Sequence, residues 1–144
     1  MQSGVEGHHH SGVDDNTIKN VVIIARTAMI HAALRWPDAS ENSLFPMAMY
    51  HYVCLHNHST YIYSGMSPEE FWTRSKYYNS ALHNAHIWGC PTYLMEPRLK
   101  YGNEFTKWIP RYRRSQYLGA YPLHSSTVGL VRNLQTGNTS PNFT

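Results

Sequence analysis

One stretch limits what this chain can fold into more than any other. GHHHSGVDDNTIKNVVIIARTAMIHAALRW, residues 7 to 36, carries the longest helical pattern in the sequence. Ile18, Val22, Ala25, Met29, Ala32 and Trp36 recur at steps of four and three, which stacks them on one face of an α-helix. Pro37 stops the pattern, because it removes a backbone donor and pushes the residue before it out of the helical region. At the other end, Asp14, Asp15, Asn16 and Thr17 have the composition of a helix cap. Their oxygens suit orphan backbone N–H groups, and their charge suits the positive end of the helix dipole. Val21, Ile23, Ile24, Ala28 and Ile30 occupy much of the remaining circumference, which predicts an inner helix buried on more than one side.

The rest of the chain divides by period. DASENSLFPMAMYHYVCLHNHS predicts a second helix over about residues 43 to 57, with Pro46 in its first turn. SGMSPEEFWTRS predicts a short third helix capped by Ser67, opened by Pro68 and anchored by Phe71 and Trp72. From about His86 the pattern changes to β-prone runs broken by Gly, Pro and Asn: WGCPTYLMEP, SQYLGAY and STVGLVRNLQTGNTSPNFT, with a turn at Thr136 to Asn138. EPRLKYGNEFTKWIPRYRRS between them reads as a basic loop or hairpin. These features predict an α+β chain with a boundary near residues 76 to 86: a helical part over 1–80 and a small antiparallel β module over 81–144. No sheet precedes the helices for their several apolar faces to cover, so they look like the closing part of a larger α/β domain.

Composition narrows the class. At 144 residues and 42% hydrophobic, the chain has enough apolar material for a sizeable core. No uninterrupted run approaches 18 apolar residues, and the expectation is neither a membrane span nor a signal peptide, hence an intracellular protein of the nucleus or cytoplasm. Cys54 and Cys90 lie far apart, which fits reduced thiols better than a disulfide framework. From Arg98 onward seven basic residues face Glu104 alone, a local charge of +6, whereas residues 1–97 carry −3. That asymmetry is what a polyanion-binding second half would have, and also what a solvated basic surface would have.

Candidate chemistry is sparse. His51, Cys54, His56 and His58, or His83, His86 and Cys90, do not make the paired short spacings of structural zinc, so packing or surface histidines are the simpler reading. No nucleophile elbow, phosphate-binding glycine loop or CxxC pair occurs. Tyr101, Phe105, Lys107, Trp108, Arg111, Tyr112, Arg113 and Arg114 interleave rings with cations, the combination that grips single strands and phosphate backbones.

The order of these blocks resembles one family. SGVDDNTIKNVVIIARTAM is similar to the NGVAERxNRxLxxxARxxL segment of copia-type retrotransposon integrases, and GMSPEEFW to their G-x-[ST]-P-x-E block. LHNAHIWGCPTYL resembles LRxFGCxxY, PRYRRSQYLGAYP resembles PRSRxxxFLGY, and STVGLVRNLQTGNTSPNF resembles the closing strand pair, so the likeness runs from about Val5 to Phe143. The resemblance implies the last helices of an RNase H-like catalytic core followed by a small SH3-like β-barrel. It also implies a chemistry: polynucleotidyl transfer, in which three carboxylates hold two Mg²⁺ ions that activate the attacking hydroxyl and stabilise the leaving oxygen. By position the family's glutamate falls on Asp15, its following arginine on Asn16 and a later basic residue on Lys19. Asp15 is one methylene shorter than the family residue, and the two aspartates on the core's strands have no counterpart in the chain.

The expectation is therefore a part of an integrase that has no strand transfer and needs no Mg²⁺ by itself. It would contact DNA or RNA weakly through Lys19 and through Lys107, Trp108, Arg111, Arg113 and Arg114. Its other expected partners are the upstream core or further integrase subunits. Two other outcomes stay open: a segment of a longer active polyprotein, in which Asp15 would join a working metal site, or a transposon remnant without function.

Overall fold

Helix α1 spans Val5–Arg35 in the computed structural model, which describes residues 5–76, 80–100, 102, 106–121 and 127–143. Its start corrects the expected cap: Asp14, Asp15, Asn16 and Thr17 are exposed residues inside the helix. The upstream segment VEGHHHSGV contains no proline, and its Gly and Ser residues cost at most about 1 kcal/mol each, too little to end a helix anchored further along. The other end is as the sequence predicts. Trp36 N–H donates to the Ala32 carbonyl at 2.7 Å, and a 3₁₀ turn at Pro37–Ala39 follows.

The face that α1 buries is rotated from the expected one. Val21, Ala25, Ala28 and Ala32 form the inward line at steps of four, three and four, while Ile18 is 58% exposed. Ile23, Ile24, Ile30 and Leu34 also face solvent, so the helix is covered on one side and not on several. The alanine line lets a second helix approach closely, and α2 (Phe45–His58) takes that place with Leu44 and Ala48 buried against it. A 3₁₀ turn at Asn42–Leu44 leads into α2, and Pro46 sits in its first turn as predicted.

Helix α3 spans Pro68–Thr73 and is held by a reciprocal cap. Glu70 N–H donates to Ser67 Oγ at 3.2 Å, and Ser67 N–H donates to the Glu70 carboxylate at 2.9 Å. Phe71 and Trp72 do not anchor it: they are 75% and 85% exposed. The inward surface of so short a helix is taken by Ser67 and Glu70, both buried, which leaves the two rings outside.

The second half supplies an antiparallel meander. Strands β1 (Pro91–Met95), β2 (Tyr112–Ala120), β3 (Val128–Asn133) and β4 (Thr139–Phe143) lie in the order β1-β2-β3-β4 in one open sheet. Single helical turns occur at Ser80–His83 and Pro97–Lys100. Of the loop or hairpin expected here, the hairpin is found: Arg113 and Arg114 belong to β2, which pairs antiparallel with β1 as far as Tyr112 opposite Met95. A bulge at Tyr117/Gly119 inserts Leu118 as an extra residue in β2. Leu118 and Trp88 complete the core that Ala25, Ala28, Ala32, Leu44 and Ala48 begin. The chain is thus α+β, helical before residue 76 and sheet-forming after 90, and the two parts share this core.

Backbone approach is close where helix meets sheet. A Cβ on Gly89 would stand 2.8 Å from the Ala32 Cβ, and one on Gly119 would stand 3.1 Å from the His51 ring. Both glycines also have positive φ, 79° and 131°, so they are required by conformation and by space. Residues Asp14–Arg35 of α1 are long and apolar enough to cross a membrane by length and mean hydropathy, 1.3. Val21, Ala25, Ala28 and Ala32 of this stretch are buried against α2 and the core, and only 17% of its most apolar 18 residues is buried.

Candidate nucleic-acid interface

The β1–β2 ladder decides which members of the basic run meet. Tyr93 lies opposite Arg114 and Met95 opposite Tyr112, so these four side chains share one face of the sheet. Leu94 lies opposite Arg113 on the other face. Beyond Met95 the ladder gains one more bond, Glu96 N–H to the Arg111 carbonyl at 2.9 Å, which ties the helical turn Pro97–Lys100 beside the start of β2. Around this corner a cleft of about 500 Å³ is lined by Arg98, Arg113, Arg114, Tyr112, Glu96, Gln135, Ile109 and Pro110.

Gln135 reaches the cleft because the β3–β4 turn is closed. Asn133 N–H donates to the Asn138 carbonyl at 2.9 Å and Gly137 N–H to the Asn133 carbonyl at 2.8 Å, while Gln135 N–H donates to Asn133 Oδ1 at 2.9 Å. Among the described residues three arginines and one glutamate line the cleft, a positive balance. Arg113 is half-buried, and its Nε is buried without a hydrogen-bond acceptor among the described residues. Tyr112 is 58% exposed at the rim and offers a ring face.

The residues that the sequence points to are therefore divided. Arg113 and Arg114 both border the cleft, from opposite faces of β2, and Arg111 is not among its lining residues, its carbonyl held by Glu96. Lys107 and Trp108 are exposed in the turn before Pro110 and do not line the cleft. Tyr101 and Phe105 lie outside the described residues. Arg98, Glu96 and Gln135 are the members that the aromatic and basic run does not name. Arg98 stands out in sequence only as one more basic residue, and Gln135 only as part of a turn, since their meeting depends on strand register.

Asp15 and Lys19 are elsewhere, exposed on α1 and one helical turn apart. Among the described residues no three His, Cys, Asp or Glu side chains converge, and a single exposed carboxylate does not make the Mg²⁺ site of the intact integrase family. Several of the described histidines have local partners. His51 is buried, with its ring edge-on to Tyr52 and Tyr117 at 5.2 and 5.9 Å, and burial pushes its pKa down to about 4. His58 Nδ1 bonds the Cys54 carbonyl at 2.8 Å, and His56 Nε2 bonds the Tyr61 hydroxyl at 3.1 Å. Cys54 and Cys90 are free thiols whose pKa burial raises, the opposite of what a nucleophilic thiolate needs. The chain matches no family model, no curated protein and no solved structure.

Proposed function

We propose that this chain is the C-terminal part of a copia-type integrase. In that reading α1 to α3 are the last helices of an RNase H-like core, and β1 to β4 are the strands of an SH3-like barrel. Its own activity is nucleic-acid binding, not strand transfer. The observation that carries the binding reading is the cleft of Arg98, Arg113 and Arg114 beside Tyr112, with Glu96 as its one acid among the described residues. Guanidinium forks match phosphate oxygens in pairs, and a ring at the rim suits a sugar or base. The order of five motif blocks along the chain supports the family reading, as does an outer face of α1 whose Ile23, Ile30 and Leu34 suit an upstream sheet. In the intact family two Mg²⁺ ions supply the transfer chemistry; here Asp15 would contribute a third carboxylate only with an upstream domain carrying two aspartates.

Binding of a labelled duplex over a salt series tests the cleft. The affinity of the 144-residue chain should fall steeply with salt. Arg113→Gln should weaken binding and lower the slope of log affinity against log salt by about 0.9, the value for one phosphate contact. A salt-independent affinity, or an Arg113→Gln variant that binds as the parent does, rules the cleft out. Joining of labelled DNA ends by this chain alone with Mg²⁺ would overturn the inactive reading. An upstream coding sequence without a compact domain bearing two aspartates on strand-like runs would remove the segment reading.

A further inference from the structure

Helix α3 and the turn before it display rings that the fold does not use. The turn after α2 is closed by Gly65 N–H to the Tyr61 carbonyl at 2.8 Å and by Tyr61 N–H to the Met66 carbonyl at 3.1 Å. The reciprocal Ser67/Glu70 cap then starts α3, and Arg74 ends it in the left-handed conformation at φ 53°. Backbone bonds and caps, rather than apolar burial, set the shape of this segment. Phe71 and Trp72 are nonetheless 75% and 85% exposed beside an open cleft of about 670 Å³, whose other lining residues are Met66, Arg74, Ser75 and Lys76.

Among the described residues the lining contains two cations and no acid, since the Glu70 carboxylate is turned to the Ser67 N–H. We infer that this cleft is a stacking site for the bases of a single-stranded nucleic acid. Phe71 and Trp72 provide ring faces, and Arg74 and Lys76 meet the flanking phosphates. Every base has a π-face, so such a platform takes a strand without reading its sequence, whereas a duplex hides those faces inside its own stack. An apolar protein segment would cover the rings and leave both cations desolvated against it. The site is independent of the arginine cleft, and its chemistry would stand if the family reading fell.

Anisotropy of a labelled oligodeoxyadenylate and of a matching duplex, titrated with the full chain, tests the inference. Trp72→Ala and Phe71→Ala should each weaken single-strand binding about tenfold or more, and Trp72→Tyr should keep most of it. Duplex binding should be unchanged in these variants and weakened in Arg113→Gln, so the two sites fail separately. Arg74→Gln with Lys76→Gln should lower the single-strand salt slope by about 1.4. Unchanged single-strand affinity in Trp72→Ala overturns the site. So does displacement of the rings' fluorescence by an acidic peptide that the oligonucleotide cannot match, which would assign the cleft to a protein. Both rings lie on the surface, so these substitutions leave the core intact.

Discussion

The inner and outer surfaces of the helical half use opposite kinds of residue. Inside, the contacts are made by Ala25, Ala28, Ala32 and Ala48 with Gly89 and Gly119; outside, the chain displays Ile23, Ile30, Leu34, Ile62, Phe71 and Trp72. Globular domains ordinarily bury their large apolar groups first. Here alanines and glycines make the closest backbone approaches, Leu44, Trp88 and Leu118 fill the rest of the core, and several large apolar groups stay exposed. Stability and function should therefore separate along this line, with severe penalties for small changes inside and slight ones for large changes outside.

Gly89→Ala is the most severe test of the inner surface. The added methyl would sit 2.8 Å from the Ala32 Cβ, and alanine at φ 79° is strained. Overpacking and strain each cost about 1–3 kcal/mol, so a loss of about 3 kcal/mol in urea unfolding is expected. Adding Ala32→Gly should return the steric part and leave the conformational part. A Gly89→Ala protein as stable as the parent would mean that helix and sheet are not in close contact at this point.

His51 tests the same interface by pH. Its folded pKa, about 4, is below the ordinary value of 6.5, because burial disfavours the charged ring. The unfolded chain therefore binds the proton more readily. Stability from this group is full above pH 6.5 and is lost as pH falls through 4, by about 3 kcal/mol in all, of which about 2 kcal/mol falls between pH 7.5 and pH 5. Urea midpoints measured between pH 7.5 and pH 5 should show this decline, and His51→Gln should flatten it while lowering stability at neutral pH. An equal decline in both proteins would assign it to other groups.

Local signals were legible in sequence and nonlocal ones were not. Ser67, Pro68 and Glu70 announce α3 because a capping box is complete within four residues, and Pro37 announces the end of α1 for the same reason of proximity. The 3.6-residue period of α1 was equally plain, but not which of its two apolar stripes faces inward. Size favours the isoleucines, whereas the space available beside α2 admits alanines. The start of α1 was missed because acidic residues suit a cap and also tolerate an exposed helical turn. At the candidate interface, Arg113 and Arg114 were readable as cations beside rings. Their cleft was not, since it needs β1 paired to β2 in one register and Gln135 delivered by the β3–β4 turn.

Ser67→Ala should cost about 1 kcal/mol, since it removes the side-chain acceptor of the Glu70 N–H and leaves the Glu70 carboxylate with half of its cap. The effect should be concentrated in α3. Amide exchange there should quicken more than in α1 or β2, and single-strand binding should weaken because Phe71 and Trp72 lose their fixed presentation. Uniform acceleration across the chain would mean that α3 unfolds only with the whole and that its cap is part of the common core.

The outer stripe of α1 gives the smallest expected effect. Ile30 and Leu34 are 61% and 80% exposed, and Thr27 between Ile23 and Ile30 turns its hydroxyl back to the Ile23 carbonyl at 2.9 Å. Replacing Ile30 and Leu34 by Gln removes little buried area, so the unfolding free energy of this chain should move by no more than about 0.5 kcal/mol for each. Helix propensity shifts by only a few tenths in the same change. If an upstream domain is supplied, the same two substitutions should abolish its association with α1, because they place amides where an apolar seam would close. A large loss of stability in the chain alone would show that the stripe is already covered, and the division between inner and outer surfaces would then fail at its clearest point.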